Sequence, residues 1–263
     1  MVEIHNNRLS IFISSSDKFE WLWPPFFYYF RKFWPDCPYD IYLGTESENL
    51  VEKDIIILKS GKNLKWGEVT IRNISQIKSK YVLLLLDDYF LQSKVDTNMI
   101  QEILLMFEQV EAKYIKLTEN HNRMISKSEI FNSFTQITDK DHFGISLQAA
   151  IWDREFLLDI LDANESPWEF EKKVVNRISS FKGVYQLKNS AFDINFGGVM
   201  HFGAIERRFY KKTIKEGIDI NKKYMMTRRQ QTLKMLEDLT NNLRVTQFFP
   251  YRLRKFLKRV LGV

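Results

Sequence analysis

The 263-residue chain is 44% hydrophobic and 14% aromatic, enough to bury a large core, which excludes a disordered protein. Its one cysteine, Cys37, excludes an internal disulfide, and His5, His121, His142 and His201 lack zinc-site spacing. No apolar run is long enough to span a bilayer and no charged-then-apolar leader opens the sequence, so the expectation is a cytoplasmic protein.

Leu9-Ser10-Ile11-Phe12-Ile13 alternates and runs into Ser14-Ser15-Ser16-Asp17, the pattern of a first strand and a polar turn. Its hydroxyls and acid can hold a nucleotide base or ribose, or simply cap the next element. Pro25 can occupy the first turn of an aromatic-rich helix running to Trp34, whose rings read as core. Tyr39 to Leu43 alternates into Gly44-Thr45-Glu46 as a second strand, and Asp54 to Leu58 forms a third. Trp66, Val69, Ile74 and Ile77 mark a helix over residues 66 to 78.

Tyr81-Val82-Leu83-Leu84-Leu85-Leu86 reads as a central strand covered on both faces, and it ends in Asp87-Asp88. Ligands of open α/β sheets bind beyond the carboxyl ends of the strands, so these acids fall where chemistry sits. Two adjacent hard oxygen ligands suit Mg²⁺ or Mn²⁺ on a diphosphate; the alternative is the N-cap of a following helix. Strand and helix alternating in this way predict a right-handed parallel α/β half.

Asp96 can cap a helix through Val110, and Tyr114 to Leu117 is another strand. The looser region up to Asp141 is a place for acceptor-binding loops. Ile145 to Trp152 reads as a strand, with Asp153 capping a helix to Leu161. Glu165-Ser166-Pro167-Trp168-Glu169-Phe170-Glu171 then opens a helix continuing to about Ser179. Its acids can serve chemistry or merely complement the helix dipole. Asn195 to Gly203 is a glycine-rich turn carrying His201, a structural residue or a ligand.

Four of these segments in order resemble the GT-A glycosyltransferases, specifically the bacterial enzymes that build capsule, O-antigen or related surface glycans. They are Ile11 to Asp17, Trp66 to Asn73, Leu83 to Phe90, and Ile151 to Glu171, and the likeness covers roughly residues 8 to 205. It implies a Rossmann-like, mostly parallel central sheet flanked by helices, with a nucleotide-sugar half over about 1–118 and an acceptor half over about 119–205. A helical C-terminal extension, 206–263, would follow. The resemblance assigns Ser15 and Asp17 to the nucleoside, Thr45 and Glu46 to the nucleotide, Arg72 and Asp87 to the donor, and Asp88 to the metal, Mg²⁺ or Mn²⁺, with His201 as a further ligand. Asp87-Asp88-Tyr89 departs from the usual acid, any residue, acid spacing. Glu169, then Glu171, then Glu165, is the candidate general base of an inverting transfer, and flanking Trp168 and Phe170 could raise the pKa of Glu169 by partial burial. The implied partners are a nucleotide-sugar donor and a glycan acceptor, lipid-linked in capsule, O-antigen or lipopolysaccharide synthesis.

The net charge is +6, and the last 23 residues hold six of the 39 basic residues and no acid, leaving a body with as many bases as acids. A nucleic-acid partner would call for charge on the folded domain. After Pro250, Leu253, Phe256, Leu257, Val260 and Leu261 fall at helical spacing among Arg and Lys, a basic amphipathic helix suited to the anionic inner face of the cell membrane or to packing on a domain. Two alternatives stand beside the transferase: a sugar nucleotidyltransferase, which would want a glycine-rich loop after the first strand, and a non-catalytic protein binding membranes or anionic polymers.

Overall fold

A computed structural model describes residues 8–48, 54–118, 134–139, 141, 144–194 and 198–245. Most of the expected acceptor loops and the amphipathic tail after Pro250 lie outside the described residues. The chain forms two compact units, Met1–Gly197 and Gly198–Val263.

The first unit is built on an eight-stranded sheet. Its strands are β1 (Leu9–Ser14), β2 (Ile41–Thr45), β3 (Ile55–Lys59), β4 (Tyr81–Leu86), β5 (Tyr114–Lys116), β6 (Phe134–Gln136), β7 (Ala150–Asp153) and β8 (Val184–Leu187). Their spatial order is β3-β2-β1-β4-β7-β5-β8-β6. Six strands point the same way; β7 runs antiparallel between β4 and β5, and β6 runs antiparallel on the far edge. This is the mostly parallel α/β sheet that the sequence predicts, with one reversed strand near its centre.

Helices cover both faces. They are α1 (Trp23–Phe33), α2 (Trp66–Ile74), α3 (Thr97–Gln109), α4 (Arg154–Ile160) and α5 (Pro167–Lys173). Phe12, Val82, Leu84, Ala150 and Trp152 from alternate strand positions join Ile74, Leu157, Ile160 and Phe170 in one buried cluster beneath α2, α4 and α5. On the opposite face the Tyr81 ring lies 4.8 Å from Phe107 of α3. β4 is therefore buried on both sides, as its unbroken run of apolar residues requires. The rings of α1 are core as expected: Phe26, Phe27, Tyr29 and Phe30 are buried, and Tyr29 stacks on Phe90 at 5.3 Å.

The predicted caps form. Asp96 accepts the Asn98 and Met99 amides at the head of α3, and Asp153 accepts that of Phe156 at the head of α4. The stretch Ile145 to Ala149, expected to be strand, is irregular. There the Ser146 amide donates to the Tyr114 hydroxyl and the Leu147 amide to Glu171, so side chains replace the ladder.

The second unit contains a short hairpin, β9 (Met200–His201) and β10 (Ala204–Ile205), followed by α6 (Arg207–Lys215) and α7 (Arg228–Val245), so its described residues are largely helical. Among the described residues no helix is long and apolar enough to cross a membrane.

Candidate functional site at the carboxyl edge of the sheet

Register aligns the strand ends. Ser14 pairs with Gly44 on one side and with Leu86 on the other, so the residues just beyond, in the turn after Ser14, at Thr45-Glu46 and at Asp87-Asp88, emerge along one edge.

Asp17 and Glu46 are brought together there. The Asp17 carboxylate accepts the amides of Glu46 at 2.9 Å, Ser47 at 3.1 Å and Glu48 at 3.3 Å, and the Ser47 hydroxyl at 2.7 Å. Burial works to raise this carboxyl, but the hydrogen bonds from Ser47, Glu48 and Glu46 outweigh it and hold the pKa at about 2. Glu46 in turn accepts the Asp17 amide, and burial raises its own pKa. Thr45 is fully buried, and its hydroxyl donates to the Glu48 carbonyl at 3.1 Å. Arg72 on α2 donates to the Ser60 carbonyl at 3.0 Å and pairs with Glu68 one turn earlier at 2.5 Å, tying α2 to the loop after β3.

At the end of β4 the two acids part company. Asp87 is buried and accepts the Ser15 hydroxyl, whose oxygen takes the Trp23 indole N–H at 2.7 Å. Burial, with the neighbouring Asp88 charge, pushes Asp87 up to about 8. Asp88 is half-buried and is the acid presented at the edge. The Tyr89 hydroxyl is held upward in pKa by burial and by the charges of Asp88 and Glu171.

The packing of α5 brings it toward the same edge, since Trp66 donates its indole N–H to the Ser14 hydroxyl at 3.1 Å and its ring lies 5.6 Å from Phe170. Its approach loop lies against the head of α2, where the amides of Gly67 and Glu68 donate to the carbonyls of Glu165 and Ala163. A Cβ on Gly67 would stand 1.9 Å from the Asp162 carbonyl oxygen, so only glycine permits the approach. Phe170 is buried against Trp66 at 5.6 Å, and Glu171 turns inward to accept the Leu147 amide at 2.8 Å. Burial raises the Glu171 carboxyl, against the pull of that hydrogen bond and of Lys116 at the end of β5.

Glu169, the preferred base from sequence, does not have the expected burial. It lies in solvent as half of a capping box, accepting the Ser166 hydroxyl at 2.8 Å and amide at 3.0 Å, and these bonds lower its pKa. Trp168 beside it is 71% exposed and shields nothing. Ser166-Pro167-Trp168-Glu169 carries the capping signature in the sequence itself. Glu165 is also committed, buried in ion pairs with Arg177 and with Lys173 at 3.3 Å. Lys116, a buried lysine closing β5, carries no motif in the sequence beyond that position at a strand end.

His201 stands on β9 in the second unit, its Nε2 3.2 Å from Glu206. Glu206 is 3% exposed and also binds Arg208 at 3.0 Å and Lys234 at 3.3 Å. The buried Glu206 carboxylate thus gathers side chains from the hairpin, α6 and α7 around it. Among the described residues no group of three or more His, Cys, Asp or Glu side chains forms a metal-binding cluster. A divalent ion on a diphosphate needs only one or two protein carboxylates, the rest being phosphate oxygens and water, and Asp88 fits that requirement.

No family model matches the chain and no curated protein matches it. Among solved structures it is similar to S. aureus TarS 1–349, with 11% identity and a TM-score of 0.48 over 70% of this chain and 59% of that one. It is similar to the same protein in complex with UDP-GlcNAc, with 13% identity and a TM-score of 0.48 over 70% of this chain and 57% of that one. It is also similar to the bifunctional IspDF from Campylobacter jejuni, with 11% identity and a TM-score of 0.38 over 65% of this chain and 47% of that one. The chain spans 36% of the longer TarS structure.

Proposed function

We propose that this chain is a glycosyltransferase that moves a sugar from a nucleotide-sugar donor to a glycan acceptor, with inversion at the anomeric carbon. The observation that supports the reading is that Asp88 follows the end of β4 while Trp66, bonded to Ser14 at the end of β1, packs on Phe170 next to Glu171, which sets both acids toward the carboxyl edge of the sheet, where α/β folds bind ligands. Glu171, and not Glu169, is the general base. It takes the proton of the acceptor hydroxyl as that oxygen bonds to the anomeric carbon, while the bond from that carbon to the diphosphate oxygen breaks and the diphosphate leaves on the opposite face.

Asp88 would hold Mg²⁺ or Mn²⁺, which would neutralise charge on the departing diphosphate. Ser15 and Asp87 form the floor beneath it, and the Asp17–Glu46 pair frames the nucleoside side. A lipid-linked surface-glycan precursor is the proposed acceptor class, which accords with the basic C-terminal sequence. Calorimetric titration with UDP, GDP, CDP, dTDP and CMP, with and without Mn²⁺, tests the donor assignment. One nucleotide binding tightly and weakening in Asp88→Asn supports it; no binding by any of the five refutes it.

A further inference from the structure

The charge of the chain is divided by unit and not by tail. Residues 198–263 carry 16 basic and five acidic side chains, whereas residues 1–197 carry 23 basic and 28 acidic. Most of that excess belongs to the folded part of the second unit, with α6 and the segments around it, and not to the tail alone.

The β9–β10 hairpin adds a second observation. Its two turn residues, Phe202 and Gly203, both have positive φ, 53° and 72°, the pattern of a type I′ turn. Asn-Gly is the sequence that folds such a turn most readily, and a bulky residue rarely adopts this conformation. Phe202 holds it while 47% exposed, so neither local conformation nor burial accounts for an aromatic ring here. His201 and Arg208 both bind Glu206, which sets the hairpin beside the first turn of α6. That helix buries Phe209 and Thr213, and the opposite side displays Arg208, Lys211 and Lys215 with Ile214 exposed among them.

We propose that the second unit docks on an anionic bilayer, with Phe202 entering the headgroup region and Lys211 and Lys215 meeting lipid phosphates. A soluble polyanion would call for the cations alone. A bilayer takes the apolar side chains as well, and three of the six large hydrophobic side chains exposed among the described residues, Phe202, Ile214 and Met235, stand in this basic unit. This proposal goes beyond the transferase reading and does not depend on its chemistry.

The test is flotation of the full chain with vesicles of phosphatidylcholine alone or mixed with phosphatidylglycerol, alongside melting curves. Wild type is expected to float with the anionic vesicles only. Lys211→Glu combined with Lys215→Glu should weaken binding roughly fivefold or more per charge changed, with Tm unchanged. Phe202→Asn should weaken binding roughly threefold or more while raising Tm, because asparagine relieves the turn. Equal binding by wild type and Phe202→Asn, absence of binding by wild type, or a binding loss accompanied by a lower Tm in Phe202→Asn would each overturn the proposal. So would heparin binding tighter than vesicle binding and indifferent to Phe202→Asn, which would identify a soluble polyanion as the partner.

Discussion

Asp17 and Glu46 bind each other's backbone across the open ends of β1 and β2: each carboxylate accepts the other residue's amide N–H. The exchange closes the turn after the first strand onto the second strand and uses up the Asp17 carboxylate in structural hydrogen bonds.

That arrangement predicts an acid-sensitive fold. The folded-state pKa of Asp17 is depressed from 3.8 to about 2, so its stabilisation is complete above the unfolded value and is lost as pH falls between the two. Urea unfolding across this range should show wild type losing stability more steeply than Asp17→Asn. Parallel curves would mean the hydrogen bonds do not persist in solution.

The two glutamates of α5 should separate cleanly. Glu171→Gln is expected to cut turnover by roughly 10²- to 10⁴-fold while nucleotide binding persists. Glu169→Gln should leave turnover and stability near wild type, since glutamine at this position can complete the same capping box. Because the Glu171 pKa is raised above its usual 4.5 and a base acts only when ionised, activity should fall on acidification with a midpoint above that value. The pH–rate profile and both variants together decide between the residues.

Ser15→Ala removes a hydroxyl that donates to Asp87 and accepts from Trp23. Two buried polar groups lose their partner at once, a loss of about 1–3 kcal/mol. Denaturation midpoints of Ser15→Ala and wild type measure it, and an unchanged midpoint would show that the Ser15 bridge is not formed.

Gly67→Ala places a methyl against the Asp162 carbonyl, which must move. The expected cost is about 1–3 kcal/mol, together with a reduced kcat, because the displaced loop leads into α5 and Glu171. A variant as stable and active as wild type would show that the loop gives way without disturbing the helix.

Much of this framework was legible in the chain. Six apolar residues before Asp87 could only be a strand buried twice, and Asp96 and Asp153 announced their helices. Strand direction was not legible, since the apolar residues of Ala150 to Trp152 look the same whichever way they run. The end of the strand reading at Ile145 was hidden because the competing partners, Tyr114 and Glu171, are distant in sequence. Which of Glu169 and Glu171 turns inward depended on which side of α5 meets Leu147, a tertiary fact, although the capping signature at Ser166 already spoke for Glu169 as a helix-end residue.

The reversed strand β7 has a consequence for synthesis. β4 finds its second neighbour only when Leu83 meets Ile151, so during translation the first four strands wait with one edge bare. A nascent chain stopped anywhere short of β7 presents the most apolar strand of the protein as a template for pairing with another chain. The first four strands are for this reason not a separable module: the inner edge of β4 is covered only once Ala150–Asp153 has been made.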